Sequence, residues 1–252
     1  MFDSTGEVCL ICHKPYKDYL IMKKGIFIDF ALPLMGIVFL TAALGLGNVD
    51  ILIEESFYSP DGGWFLGQSE PWFFLYHYGN IPAFLLSVCG LCAFFLSFFR
   101  RALLPYRKIG LFLVVFMILG PGLIINTVLK DHWGRPRPAD IVKFGGSEPF
   151  RPFWETGQAG QGKSFPSGHA SVGFFLFAPF FVLRNSHRKW ALFFLFLGIS
   201  YGMLMGLGRM VQGGHFLTDV LWAGALTYLT WLVLYYIFRF DRGCMDSVSS
   251  TE

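Results

Sequence analysis

Residues 108–138 read KIGLFLVVFMILGPGLIINTVLKDHWGRPRP, an apolar run over 108–128 that gives way to three cations, Lys130, Arg135 and Arg137. The run is close to the ~20 residues that cross a bilayer as a helix, so the charged block falls where the chain leaves the membrane. Comparable runs occupy 26–46, 78–98, 168–184, 191–208 and 216–238. Together they predict an all-α polytopic protein, a bundle of six transmembrane helices. Composition agrees: 54% of the 252 residues are hydrophobic and 15% charged, against roughly 25% charged in soluble domains. A net charge of +3 with no basic tract interleaved with aromatics gives no reason to expect a nucleic-acid partner.

The basic residues orient the bundle, because Lys and Arg gather in cytoplasmic loops. Lys14, Lys17, Lys23 and Lys24 precede the first run, Arg100, Arg101, Arg107 and Lys108 flank the second turn, Arg184, Arg188 and Lys189 lie in the fourth loop, and Arg239 and Arg242 follow the last run. The 47–77 loop has no Lys or Arg and carries Asp50, Glu54, Glu55, Asp61 and Glu70. The expected organisation is a cytoplasmic tail over 1–25, a membrane domain over 26–240 with outer loops 129–167 and 209–215, and a cytoplasmic tail over 241–252. The first run has no small-residue cleavage pattern behind it and reads as a retained anchor. Lys130, Arg135, Arg137, Lys143, Arg151, Lys163 and Arg209 all fall on the outer side, against the rule, and ask for a function.

Three blocks answer that. Lys130 to Pro138 (KDHWGRPRP), Pro166-Ser167-Gly168-His169, and Arg209 through His215 to Asp219 bring cations, a hydroxyl, two imidazoles and a carboxylate to the outer end. A phosphate needs fixed donors around its oxygens: Arg137 and Arg209 offer planar forks, Lys130 a point charge and Ser167 a hydroxyl. Ser167 and Gly168 precede an apolar run, so backbone N–H groups and the positive helix end face the anion, and Gly168 lets the backbone approach. His215 and Asp219 are four apart, one helical turn, which suits a nucleophile and a carboxylate that fixes its tautomer. His169 remains to protonate the leaving oxygen. Nothing in this chemistry calls for a metal or other cofactor.

The blocks resemble the signature of the type-2 phosphatidic acid phosphatase family: Lys, six residues, Arg-Pro; Pro-Ser-Gly-His; and Arg, five residues, His, three residues, Asp. The usual Ser-Arg opening of the third part is Gly208-Arg209 here. The resemblance implies a catalytic core shared with vanadate-binding haloperoxidases, transient phosphorylation of His215, support from Asp219, and His169 acting first as acid and then as base. It implies a phospholipid or glycolipid phosphate substrate, and a bacterial inner-membrane location with the site facing the periplasm. The extended loop from Lys143 to Lys163, with Phe150, Phe153 and Trp154, is similar to that of bacterial lipid A phosphatases. Alternatives within the family are phosphatases of polyprenyl diphosphate, phosphatidic acid or phosphatidylglycerol phosphate, and lipid phosphotransferases. Outside it stands a non-catalytic lipid-binding protein, which does not require His169, His215 and Asp219 together.

Other features read more plainly. Cys9, Cys12 and His13 form C-x-x-C-H, a haem-attachment pattern that needs the chain outside the cytoplasm, opposite to the side expected here. Cys89 and Cys92 read as small packing residues within an apolar helix, and Cys244 leaves an odd number against a disulfide framework. His77 and His187 read as interfacial residues. For His132, Arg135, Lys143, Arg151 and Lys163 the sequence leaves a solvated loop residue and a ligand equally open.

Overall fold

The computed structural model describes residues 16–241, so Cys9, Cys12, His13 and Cys244 lie outside the described residues. Ten α-helices run in chain order: α1 Tyr16–Leu46, α2 Val49–Glu55, α3 Trp72–Tyr78, α4 Ile81–Leu96, α5 Leu104–Met117, α6 Lys130–Trp133, α7 Gly168–Phe174, α8 Ala178–Leu183, α9 Arg188–Val211 and α10 Leu217–Ile237. Among the described residues, five stretches are long and apolar enough to cross a membrane: Gly25–Leu46, Trp72–Leu96, Arg101–Asp140, Arg188–Val211 and Leu217–Ile237. The chain is a multi-pass membrane protein. The remaining expected span is a shorter apolar stretch, Gly168–Leu183, broken at Phe175–Phe177 by a 3-10 turn. Its two ends meet different parts of the bundle: Ser167 N–H donates to Asp219 O at the start of α10, while Arg184 pairs with Asp29, four residues into the apolar stretch Gly25–Leu46 of α1. The second span starts at Trp72 rather than near 78, since α3 leads almost directly into α4.

α10 is the centre, packed by α1, α2, α5, α7, α8 and α9. Trp231 is fully buried there, its ring 3.9 Å from that of Phe116 and within 6 Å of Phe112, Phe175 and Phe181. Lipid tails are as apolar as these rings, so close packing rather than escape from water holds the helices together. Small residues allow the closest approaches. A Cβ on Gly110 of α5 would fall 2.3 Å from the Gly90 carbonyl of α4, and one on Gly206 of α9 would fall 2.2 Å from Val220 of α10. Cys89 and Cys92 do not join this packing; both are exposed on α4, whose buried residues are Ala83 and Gly90. The expectation that they are small packing residues is therefore corrected.

The quoted stretch that follows α5 is wound as a π-helix over Ile118–Leu129. Pro121 lacks an N–H and crowds the preceding turn, so the regular ladder gives way. Side chains satisfy the displaced carbonyls: Asn126 Nδ2 donates to Pro121 O at 2.7 Å and Thr127 Oγ1 to Gly122 O at 3.1 Å. This fixes Asn126 against α7, where a Cβ on Gly168 would fall 2.1 Å from Asn126 Oδ1.

Candidate active site

Backbone hydrogen bonds stitch the three sequence blocks together at one end of the bundle. Ala139 N–H donates to Gly213 O at 3.0 Å, Ser164 N–H to Arg135 O at 3.0 Å, and Ser167 N–H to Asp219 O at 3.2 Å. Lys130 opens α6, Arg137 stands in extended backbone, Ser167 precedes α7, Gly168 and His169 open it, and Arg209 lies in the last turn of α9. Ser167 and Gly168 are buried, while Lys130, Arg137, His169 and Arg209 are half-buried. Arg137 Nε, Ser167 Oγ and Arg209 Nε are buried without a hydrogen-bond partner among the described residues. A buried donor without a partner costs about 1–3 kcal/mol, so three of them among clustered cations mark a place built for an anion. The charges of Lys130, Arg137 and Arg209 bear on one another and on His215.

His215 is buried and lies two residues before α10 rather than on its face. Its Nδ1 donates to Ser164 O at 2.6 Å, whereas Asp219 Oδ2 is 3.9 Å away, beyond hydrogen-bond range. The expected direct bond from imidazole to Asp219 is therefore replaced by a relay: Ser164 Oγ donates to Asp219 Oδ2 at 2.5 Å while the same residue's carbonyl holds His215. Nε2 is left as the free lone pair. Burial first, then Arg209 and Lys130, holds the imidazole well below its usual pKa, so the ring is neutral at pH 7.

Asp219 is the acceptor at the hub. It takes the Phe216 N–H at 2.8 Å, the Ser164 hydroxyl, and an Arg135 guanidinium nitrogen. Arg135 is no loop charge; it is fully buried, and its remaining donors reach Asp50 Oδ2 at 2.8 Å, Thr218 Oγ1 at 2.9 Å and Arg151 O at 2.8 Å, with the Phe216 ring 4.4 Å from its guanidinium carbon. Asp50 is further held by the Thr218 backbone N–H and hydroxyl. Glu54 is buried beside this group with neither carboxyl oxygen partnered among the described residues. Burial first, then Asp50 and Asp219, pushes its pKa up to about 10, so it is a neutral acid at pH 7.

Tyr76 of α3 ties the two half-buried groups together: its ring stacks on His169 at 5.0 Å, and the Arg209 guanidinium carbon lies 4.7 Å from its centre. The other loop charges are ordinary. Lys143 pairs with Glu55 and Lys163 with Asp131, all about half exposed, and exposed His132 bonds the Val128 carbonyl one turn back. The 143–163 loop packs down on the site, with Phe150 against Phe216, Phe153 against Trp222, and Trp154 against Gly45. Among the described residues, no three His, Cys, Asp or Glu cluster as a metal site.

A family model described as the PAP2 superfamily matches residues 109–242. The chain belongs to that superfamily. The lipid A 4'-phosphatase of Francisella tularensis subsp. novicida (strain U112) is 37% identical over 196 residues, covering 76% of this chain and 87% of that protein. The lipid A 4'-phosphatase of Rhizobium leguminosarum is 35% identical over 113 residues, 44% of this chain and 47% of that protein. No solved structure matches. The PAP2 match contains every candidate site residue read from the three blocks, whereas Asp50, Glu54 and Tyr76 precede it. Sequence reading missed Asp50, Tyr76, Ser164 and Thr218 as parts of the site. The one available signal was Asp50, an acid directly beyond an apolar span, with no partner in view.

Proposed function

We propose that this membrane phosphoric-ester hydrolase removes the 4'-phosphate from lipid A, or from a close acylated sugar phosphate, at the periplasmic face of a bacterial inner membrane. The observation that carries the reading is the set of unpartnered buried donors, Arg137 Nε, Ser167 Oγ and Arg209 Nε, beside the free Nε2 of a neutral His215. The similar Francisella protein, matched over most of its length, supports the choice of substrate. The basic loops of the opposite side and the 47–77 loop without Lys or Arg support the orientation.

In the proposed cycle the donors and Lys130 hold the phosphate oxygens, and Nε2 of His215 attacks phosphorus. The bond to the leaving alcohol breaks, and His169, which takes up a proton when the phosphate's negative charge is bound beside it, delivers that proton to the oxygen. Water then attacks the phosphohistidine, His169 takes its proton, and the phosphorus–nitrogen bond breaks to release phosphate. Positive side chains neutralise the charge throughout, so activity is expected to survive a strong chelator and to fall with vanadate. The deciding experiment is phosphate release from a panel of lipids in detergent. Wild type is expected to act on lipid A and His215→Ala to be inert. His169→Ala is expected to lose about 10²–10⁴-fold on lipid A but far less on an aryl phosphate, whose phenolate leaves unprotonated. Equal loss on both substrates overturns the role given to His169. For orientation, a cysteine at position 147 is expected to react with an impermeant reagent from the periplasm; reaction only after the membrane is opened inverts the topology.

A further inference from the structure

A cavity of about 400 Å³ opens beside the phosphate-binding end, lined by Trp64, Gln68, Phe73, Tyr76, His77 and Gln212, with Arg209 as its inner wall. Its size is within the ~300–1,000 Å³ of small-molecule sites. Its position follows the reaction geometry. The leaving oxygen must face the acid His169, across phosphorus from His215, and His169 stacks on Tyr76, which forms part of the cavity wall. The leaving alcohol therefore has this bowl to enter.

The lining indicates which alcohol. Gln212 is committed to the site itself, accepting from Arg209 and donating to Gly67 O at 3.1 Å. Trp64 is wedged over Gly213, where a Cβ would fall 2.3 Å from the indole. Two polar side chains remain for a ligand. Exposed His77 has Nδ1 bound to Phe73 O at 2.9 Å, which leaves Nε2 open, and exposed Gln68 makes no hydrogen bond among the described residues. Flat aromatic faces with a few polar groups suit a ring that carries C–H faces and several hydroxyl or amide groups. Diacylglycerol has no hydroxyl besides the one that bore the phosphate, so it would desolvate Gln68 and His77 without replacing their bonds to water.

We propose that this bowl is the subsite for the leaving alcohol as a sugar ring, with Gln68 and His77 reading its hydroxyl or amide groups and so setting the preference for sugar phosphates over glycerol phosphates. The inference deepens the lipid A reading and rests on it. The test compares kcat/KM on lipid A and on phosphatidic acid for purified wild type, Gln68→Ala, His77→Ala and the double variant. A preference for lipid A that falls by about tenfold in each single variant, and further in the double, is expected, because a lost hydrogen bond weakens discrimination against the analogue that never made it. Parallel loss on both lipids shows a merely structural role and overturns the subsite, as does a ratio that does not move. A wild type that hydrolyses phosphatidic acid but not lipid A overturns the substrate reading itself, and the subsite with it.

Discussion

Two arginine–aspartate groups hold opposite ends of the bundle, and they are built differently. At the site end, Arg135 is fully buried and its guanidinium reaches Asp50, Asp219, Thr218 and the Arg151 carbonyl. At the other end, Arg184 reaches Asp29 at 2.9 Å with both side chains about a quarter exposed, and Tyr236 adds a hydroxyl at 2.7 Å. The first group has exchanged nearly all its water for protein partners; the second keeps part of its water. A desolvated charge tolerates no missing partner, whereas a wet one does. The site end is thus rigid by electrostatic necessity, and the other end is a fastening.

Removing Arg135 is the strongest test of that contrast. Arg135→Met leaves Asp50 and Asp219 buried without their cation, so a stability loss of about 3–5 kcal/mol and abolition of phosphatase activity are expected, read by thermal unfolding in detergent and by phosphate release. A folded, active Arg135→Met protein would show that the network is dispensable. Next in size, Ser164→Ala cuts the link between Asp219 and the loop that holds His215 while leaving the Ser164 carbonyl in place. A fall in kcat of about tenfold with little change in KM is expected, near the value of one charge-assisted hydrogen bond; an unchanged kcat would return the orienting role to the carbonyl alone.

Much of this was legible beforehand, and the boundary has a physical cause. The three blocks state their chemistry because their residue types are rare beside apolar spans and their spacings are fixed by one local chain segment each. Arg135 sits inside the first block yet stayed ambiguous, since its meaning depends on Asp50, 85 residues earlier in the chain. The relay through Ser164 was hidden for the same reason: its contact with His215 spans 51 residues. The expected sixth span appeared as a short, interrupted element because its contacts are with protein on most sides, and a buried segment need not match the bilayer's width. Cys89 and Cys92 were misplaced because an apolar helix in lipid gives no period by which to tell its inner face.

The milder end gives the smaller effects. Arg184→Ala is expected to lose about 1 kcal/mol or less and to keep activity within about twofold, measured by the same unfolding and release assays; a collapse like that of Arg135→Met would erase the distinction between the two groups. A signal of a different kind, read against pH, sharpens the site end. Glu54 titrates near 4.5 when unfolded and about 10 when folded, so across that window the native state holds the extra proton and stability falls as pH rises. Glu54→Gln removes this slope. Its melting temperature is expected to drop less than that of wild type between pH 5 and pH 8, and to lie above wild type at pH 8; parallel curves would mean that Glu54 is not protonated in the fold.

The two groups also set an order of manufacture. Both grip the first apolar stretch, Gly25–Leu46, Asp29 near its beginning and Asp50 just past its end, yet their partners Arg135, Arg184, Thr218 and Tyr236 all emerge later from the ribosome. Synthesis proceeds from the N-terminus, so α1 waits in the bilayer first for Arg135 and Arg184, and α10 then completes both groups by bringing Thr218, Asp219 and Tyr236. A chain cut short before α10 keeps both arginines but lacks Thr218, Asp219 and Tyr236, so each clasp stays half-closed until the last helix is made.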